Sequence, residues 1–312
     1  MIVISQALAG GSAKGTFESH RSCLTQQAAE KLKEATSERL QTTLIDVTST
    51  ESLDKATEWV KSQVGDKGLW GLVNNAGISV PTAPNEWLTK EDFKKIIDIN
   101  LLGVIDVTIH MIPLLRKAKG RIVNIASVMG RLSTFGGGYC PSKYGVESFS
   151  DSLRIELFPF GVKVCIIEPG YFKTAVTNDK ILHENFRSIW ERLPKETKEV
   201  YGESYFNAMI QGTTKMQDKC SAKLYLVTNC MEHALTAVHP RFRYSAVNGN
   251  VALFRLLLAS PSRSLSGCSA PCMVHRRRPA PAPPPPPPPP SPVPSGLAPP
   301  APGGGALSTE AV

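Results

Sequence analysis

The sequence predicts a doubly wound α/β fold built on a parallel sheet. Between residues 26 and 176, strand-like segments alternate with helix-like segments, which is the pattern of βαβ units. Several of these strands end in small or polar residues, as strands do at the ligand-binding edge of such sheets. The chain of 312 residues is long enough for one α/β domain of roughly 250 residues with additional segments at its ends.

The individual elements follow from the spacing of the apolar residues. Residues 51–64 predict an amphipathic helix because Leu53, Ala56 and Val60 recur on one face. Further helices are predicted over residues 90–117 and 139–158, with mostly helical structure over 180–240. Short apolar runs predict strands over residues 40–46, 69–73, 121–125 and 162–168.

The composition changes towards the end of the chain. Residues 260–312 are rich in Pro, Ser, Ala and Gly, and residues 283–290 are all proline. Such a segment buries too little apolar surface to offset its loss of chain entropy, so we expect polyproline II or disordered coil. Proline tracts bind the aromatic grooves of SH3 or WW domains, although most are spacers. An adaptor role through this tail is therefore an alternative function.

The charge balance is basic, with 35 Lys and Arg against 27 Asp and Glu, a net charge of +8. This excess is compatible with an acidic partner or with association at an anionic membrane surface. Three of the charges belong to one run at residues 275–278, and no basic stripe with interleaved aromatic residues is present. Nucleic-acid binding is therefore not expected.

The seven cysteines form no CxxC pair. Neither a disulfide framework nor a metal site is expected, and a reducing compartment fits. No run of about 18 apolar residues that would predict a transmembrane helix is present, and the first residues lack the pattern of a signal peptide.

Tyr139 and Lys143 are the first candidates for catalysis. They lie four residues apart on a predicted helix, so their side chains share one face. A phenol with a reference pKa of about 10 needs a neighbouring cation to act as a proton acceptor near neutral pH. Taken alone, the pair is more typical of a surface tyrosine beside a solvated lysine than of a catalytic site.

The context of the pair favours a catalytic site. Ser127 ends a predicted strand twelve residues before Tyr139 and is placed to bind a substrate oxygen. The segment at residues 74–77, Asn-Asn-Ala-Gly, closes the preceding strand with small residues that allow close approach to a ligand. Asn100 lies within an apolar helix, where its amide is either a satisfied core group or part of a buried proton path.

In this order and spacing, these motifs resemble the short-chain dehydrogenase/reductase family over residues 23–245. The resemblance implies a Rossmann-like fold, NAD or NADP as cofactor, and Tyr139 as general acid/base. It further implies that Lys143 lowers the pKa of Tyr139 and holds the nicotinamide ribose, that Ser127 orients the carbonyl or alcohol, and that Asn100 supports a water relay. Implied cofactor-binding residues are Asp46, Asn74, Ala76, Gly77, Tyr139, Lys143, Pro169, Gly170 and Thr174. On sequence alone, Asp46 is equally well explained as a cap of the turn that follows its strand.

Four further sequence segments resemble those of the microsomal retinol and hydroxysteroid dehydrogenases. The segments at residues 68–73, 137–140, 142–147 and 168–174 carry this likeness. It implies a retinoid or steroid substrate and a location at the endoplasmic reticulum. It also implies an apolar substrate pocket within residues 171–215, for which plain helix core is the alternative. The residues concerned are Phe172, Ile181, Phe186, Trp190 and Phe206.

The first 22 residues do not match the family pattern. The glycine-rich turn that seats a cofactor pyrophosphate on a helix N-terminus is missing, although residues 2–4 can form a strand. Too few residues precede Cys23 for a turn, a full helix and a second strand. We therefore expect the first βαβ unit, and with it the end of the second strand that selects the cofactor ribose, to be absent. Exposed strand edges, poor stability and weak cofactor binding follow.

These differences from the family pattern leave other interpretations of the chain open. The predicted domain organisation is an atypical segment at residues 1–22, a dehydrogenase domain at 23–250 and the proline-rich tail at 260–312. A catalytically impaired splice variant, or a gene model that joins the wrong exons, would also produce this pattern. The family's N-terminal membrane anchor is missing, and a cytoplasmic location is expected if it is truly absent.

Overall fold

The computed structural model describes residues 2–7, 17–35 and 40–247. These residues form a seven-stranded sheet in the order β3-β2-β1-β4-β5-β6-β7. The strands are β1 Ile2–Ala7, β2 Phe17–Cys23, β3 Leu40–Leu44, β4 Gly71–Asn74, β5 Arg121–Ile125, β6 Lys163–Pro169 and β7 Arg243–Ala246. The predicted proline-rich tail at residues 260–312 lies outside the described residues.

Eight helices accompany the sheet in the described ranges. They are α1 Gln26–Glu34, α2 Thr50–Val64, α3 Lys90–Ile97, α4 Gly103–Ala118, α5 Tyr139–Leu157, α6 Asp179–Arg192, α7 Lys195–Asp218 and α8 Tyr225–Thr236. The predicted helices and strands between residues 40 and 240 are confirmed, with shifts of a few residues at their ends. The predicted helix over residues 90–117 is divided into α3 and α4 by a π-helical turn at Asp98–Leu102.

The side chains of the central strands alternate between two apolar layers, as the pleat requires. Leu72 of β4 and Ile122 of β5 pack with α2, α4 and α5 on one face. Their neighbours Val73 and Val123 pack with α8 and β7 on the other face. The sheet is therefore covered by helices on both faces, which confirms the doubly wound architecture.

The α3–α4 region, Lys90–Ala118, is apolar and long enough to cross a membrane by composition alone. In the fold, however, α4 is a core helix: Val107, Met111 and Leu115 are buried against the sheet and α2. Its apolar character is accounted for by this packing.

Strand β1 runs in the opposite direction to its neighbours. Ile2 pairs with Ser22 of β2 and with Asn74 of β4, both antiparallel, whereas β2–β3 and the pairs from β4 to β7 are parallel. Only residues 8–16 connect β1 to β2. A parallel crossover needs about a dozen residues or more, whereas antiparallel neighbours can be joined by a short connection.

This arrangement corrects two expectations. The predicted loss of hydrogen-bonding partners beside the central strands is wrong, because β1 fills the place between β2 and β4. The predicted absence of the second strand's end is also wrong. Strand β2 ends at Cys23, and Thr25 caps α1 by accepting a hydrogen bond from the Ala28 backbone N–H at 3.2 Å. Strand β1 thus completes the sheet between β2 and β4.

Candidate active site

Tyr139 and Lys143 lie on the first turns of α5, at the carboxyl edge of the parallel strands. Gly137 has a φ of +93°, which favours glycine and turns the chain into the helix. Lys143 is buried and donates a hydrogen bond to the carbonyl of Ile125, the last residue of β5, at 2.9 Å. Its Nζ lies 5.8 Å from the centre of the Tyr139 ring. The structure therefore brings the predicted pair together at a strand end.

Ser127 lies directly beyond β5 and begins the turn Val128–Gly130. Its Oγ accepts a hydrogen bond from the Met129 backbone N–H at 3.1 Å and donates to the carbonyl of Pro169 at 3.4 Å. Ser127 also lies beside Tyr139, whose phenolate form its side chain favours. The serine hydroxyl is thus held between the tyrosine candidate and Pro169, the last residue of β6.

Burial dominates the electrostatics of the pair. It raises the pKa of Tyr139 to about 12, and the neighbouring Ser127 side chain opposes this rise. Burial also lowers the pKa of Lys143 to about 8, because the charged ammonium is poorly solvated there. Near neutral pH, the site therefore holds a neutral phenol beside an ammonium group.

Asn100 sits in the π-helical turn between α3 and α4, a feature that often marks functional sites. Its Oδ1 accepts from the Ile78 backbone N–H at 2.8 Å, and its Nδ2 donates to the Ile78 carbonyl at 2.8 Å and to Ser142 Oγ at 3.2 Å. These contacts show a satisfied buried amide that fixes the backbone beyond Gly77. The proton-relay role remains a prediction.

Gly77 leaves a small cradle between the two polar groups. A Cβ at this position would lie 3.3 Å from Asn100 Oδ1 and 3.7 Å from Lys143 Nζ. An ammonium group has three N–H donors, and among the described residues Lys143 uses one, towards Ile125. The remaining donors and the open cradle suit the hydroxyls of a ribose.

Asn74 lies in the interior of the sheet rather than at its surface. Its Nδ2 donates to Thr108 Oγ1 at 2.9 Å and to Asn124 Oδ1 at 2.8 Å, which ties β4 to α4 and β5. Its Oδ1 is buried without a hydrogen-bonding partner among the described residues. The contacts show a structural brace, and the predicted cofactor contact remains untested.

Asp46 is exposed just beyond β3. Its Oδ1 accepts hydrogen bonds from the Thr48 backbone N–H at 2.9 Å and from the Thr48 hydroxyl at 2.7 Å. These contacts lower its pKa, and they confirm that Asp46 caps the turn. The next residue, Val47, lines an apolar gap with Ala76 and Ile99 that is too small to hold a water molecule. The predicted adenine contact of Asp46 remains a prediction.

Pro169 is the last residue of β6, and Gly170 and Thr174 follow it. The backbone N–H of Gly170 donates to the Ala246 carbonyl of β7 at 2.8 Å, which extends the sheet past the strand end. Thr174 is exposed at the start of the turn Ala175–Thr177. Ser127 contacts the first of the three, Pro169, and the cofactor contacts of all three remain predictions.

The residues of the predicted apolar pocket differ in their burial. Phe172 packs into the apolar layer beside β7, and Phe186 is buried between α6 and α7. Trp190 and Phe206 stack on each other with ring centres 5.0 Å apart, while Ile181 stays 39% exposed. Phe172 and Phe186 are thus buried core side chains, and the choice between a substrate pocket and plain core remains a prediction.

The structure also shows a buried ionic network that the sequence reasoning missed. Glu147 lies one helical turn beyond Lys143 on α5, and Glu168 directly precedes Pro169. Both are buried and lie near Arg243 of β7. The available signal was the run of polar residues at four-residue spacing on α5, from Tyr139 through Lys143 to Glu147.

The Gly77 cradle and Lys143 suit the nicotinamide ribose of a dinucleotide. Asp46, which is exposed just beyond β3, is the candidate contact for the adenosine end. The pyrophosphate is different. A glycine-rich turn would follow the first strand at the carboxyl edge of the sheet, but the reversed β1 ends at the opposite edge, because Ile2 pairs with Asn74 and Ser5 with Gly71. The described residues therefore fit the nicotinamide end of a dinucleotide, and no glycine-rich turn is found among them.

Comparisons with known proteins agree with this geometry. The family profile for short chain dehydrogenases matches residues 4–185. Human "Retinol dehydrogenase 16" is 62% identical over 72% of this chain and 71% of its own length. Rat "Retinol dehydrogenase 7" is 60% identical, and human "17-beta-hydroxysteroid dehydrogenase type 6" is 55% identical, each with the same coverage of both chains.

A solved structure supports the fold. A short-chain dehydrogenase from Streptomyces avermitilis matches with a TM-score of 0.58 at 24% identity, over 75% of this chain and 80% of that one. Taken with the family profile and the relatives above, these findings show that this chain belongs to the short chain dehydrogenase family, whose cofactor is NAD or NADP.

Proposed function

We propose that this chain transfers a hydride between NAD(P) and the hydroxyl or carbonyl group of a retinoid or steroid. The observation that carries the reaction type is the convergence of Ser127, Tyr139 and Lys143 at one edge of the sheet. The substrate class is supported by the names of relatives that are 55–62% identical over most of both chains.

The chain's own residues supply proton transfer and orientation. Ser127 presents its hydroxyl to the substrate oxygen, and Tyr139 exchanges a proton with the same oxygen. Lys143 stays charged at neutral pH beside the phenol and offers its free donors to the ribose. Asn100 fixes the Ile78 backbone and so keeps the Gly77 cradle open.

The raised pKa of Tyr139 bears on the direction of the reaction. When bound, the nicotinamide group supplies the hydride donor or acceptor and, in its oxidised form, a positive charge. In carbonyl reduction, the neutral phenol of Tyr139 is already the required acid. In alcohol oxidation, Tyr139 acts as the base, and nearby positive charge must bring its pKa down from about 12 towards neutrality.

The experiment is a turnover assay with all-trans-retinol and a 3α-hydroxysteroid, in which reduced cofactor is measured. We expect Tyr139→Phe to lose at least about a thousandfold in turnover with the fold intact, because only the proton-transferring hydroxyl is removed. Tyr144→Phe on the same helix is the matched control, since Tyr144 has Ser148 rather than a lysine four residues later. Equal activity of the two variants would exclude Tyr139 as the acid/base.

A catalytically impaired form of such an enzyme is the second candidate. The observation that favours it is the reversed direction of β1, which leaves the carboxyl edge between β2 and β4 without the family's glycine-rich turn among the described residues. Turnover by this chain that is lost in Tyr139→Phe would argue against impairment. A folded chain with no turnover would favour it.

We also infer a location at the surface of the endoplasmic reticulum. The net charge of +8 and the likeness to the microsomal branch support this inference, and cell fractionation tests it against the cytoplasmic alternative. The adaptor alternative depends on residues 283–290, which lie outside the described residues. A pull-down with isolated SH3 and WW domains tests it.

A further inference from the structure

Two buried carboxylates lie behind the catalytic residues and share their cationic partners. Glu147 Oε2 accepts from Arg243 Nε at 3.0 Å, and Glu168 Oε1 lies 3.9 Å from the same nitrogen. Glu168 also accepts from Arg131 Nη1 at 3.2 Å and from the Ser245 hydroxyl at 2.8 Å. The two glutamate side chains are 7% and 3% exposed, respectively. Such buried acidic groups are retained only where partners compensate them.

The network joins every segment that carries a catalytic candidate. Glu147 is one turn from Lys143 on α5, and Glu168 precedes Pro169, whose carbonyl receives the Ser127 hydroxyl. Arg131 directly follows the turn that Ser127 begins. The packing between these segments is tight, since a Cβ on Gly130 would lie 2.8 Å from the Lys143 carbonyl and 3.2 Å from Glu147 Cγ.

One oxygen of the network has no partner. Glu147 Oε1 is buried without a hydrogen bond among the described residues, while Glu168 uses both of its oxygens. A buried and unpaired carboxylate oxygen is costly when charged, and protonation removes that cost. Burial first, and the neighbouring charge of Glu168 second, raise the pKa of Glu147 to about 7.

The surrounding charges do not cancel this effect. Arg243 divides its guanidinium between Glu147 and Asp151, whose Oδ2 it contacts at 2.5 Å, and Arg131 faces Glu168. The charged groups around Glu147 are Lys143 and Asp151 on its own helix, Arg131 after the Ser127 turn, Glu168 on β6, and Arg243 on β7.

We propose that Glu147 and Glu168 are positioning residues that brace α5, the Ser127 turn and the Pro169–Gly170 segment against one another, with a proton retained on Glu147. The brace is closed while this proton is in place and the pair carries a single negative charge. It loosens when the proton leaves, because two buried carboxylates then repel each other across Arg243. The relevance to catalysis rests on the proposed function, whereas the retained proton itself does not.

The first test measures unfolding by urea from pH 5 to 8.5 for the full chain, for Glu147→Gln and for the matched control Glu156→Gln, which changes an exposed glutamate on the same helix. The folded-state pKa of Glu147 lies above its ordinary value of 4.5. Stability from this group is therefore greatest at low pH and is lost as the pH rises towards 7. We expect the unfolding constant of the wild type to increase roughly a hundredfold across this interval.

In Glu147→Gln, which cannot ionise, this increase should disappear, while Glu156→Gln should keep it. A Glu147→Gln variant that retains the wild-type pH dependence would overturn the proposal. If Glu147→Gln fails to fold, the carbonyl infrared band of a protonated carboxyl at pH 6 in the wild type, absent at pH 8.5, decides the same question. The absence of this band at pH 6 would contradict a proton retained on Glu147.

The second test addresses positioning through Arg131, which is partly exposed and replaceable. Arg131→Met should lower kcat about tenfold with the cofactor KM nearly unchanged, and Arg131→Lys should recover most of the loss, because charge rather than bulk holds Glu168. Equal kcat for both variants and the wild type contradicts the positioning role. If the wild type shows no turnover, the proposed function fails, while the unfolding series still decides whether Glu147 retains its proton.

Discussion

The two halves of the central sheet differ in how completely they carry the family's site. From β4 to β7 every strand is parallel, and the segments that follow β4, β5 and β6 contribute Gly77, Ser127 and Pro169 to one edge. On the other side, β1 lies in its expected place but runs in reverse. The difference shows that a sheet can be completed by any strand of suitable length, whereas a ligand site depends on the direction of that strand.

The reason lies in what each half requires. A sheet needs only a row of backbone donors and acceptors, and Ile2–Ala7 supplies these in either direction. A phosphate site needs backbone N–H groups at a helix N-terminus beyond a specific strand end. The half of the sheet that carries the proposed proton-transferring residues needs side chains at strand ends. Those side chains are encoded within residues 71–177, far from residues 1–22.

Lys143 offers a sharp way to test the catalytic half. Its folded-state pKa is lowered from 10.5 to about 8 by burial, so the folded state carries a poorly solvated charge below pH 8. At about 1.4 kcal/mol per pKa unit, this destabilises the fold by up to about 3 kcal/mol at neutral pH, and the penalty fades between pH 8 and 10.5. We expect the wild type to gain stability over that interval.

The variant Lys143→Met should lack this gain and be more stable than the wild type at pH 7 by about 1–3 kcal/mol, while losing activity. Urea unfolding across pH 7 to 10.5 is the measurement. Lys94→Met, which removes an exposed ion pair with Asp98, is the control and should change stability little. If the unfolding free energy of Lys143→Met depended on pH as that of the wild type does, the stability gain would not come from the Lys143 ammonium. The assignment of a buried charge to this candidate site would then be wrong.

A smaller effect is expected at the cradle. Gly77→Ala places a methyl group 3.3 Å from Asn100 Oδ1 and 3.7 Å from Lys143 Nζ, in the space assigned to the ribose. We expect the affinity for NADH to fall about tenfold, roughly 1.4 kcal/mol, with little change in unfolding temperature. Gly212→Ala in α7 meets no atom within 4 Å and should leave binding unchanged. Similar affinities for the two variants would place the ribose elsewhere.

Much of this picture could be predicted from the sequence. The order of Asn-Ala-Gly, Ser127, Tyr139 and Lys143 along the chain predicted the candidate site, because the first two follow short apolar strands and the last two open the next helix. The reversal of β1 could not be predicted, since a strand-like run at residues 2–4 carries no information on direction. The Glu147–Glu168 pair was missed because its partners Arg131 and Arg243 come from distant parts of the chain.

The central claim is that the two halves of the dinucleotide site are unequally developed. Calorimetric titration with NADH tests it, comparing this chain with one in which residues 1–22 are replaced by a strand, a glycine-rich turn, a helix and a second strand of the family pattern. Loss of several charge-assisted hydrogen bonds, each worth about 1.5–3 kcal/mol, predicts an affinity roughly a hundredfold weaker for the present chain. Equal affinities of both chains would contradict the account and would mean that other residues hold the diphosphate.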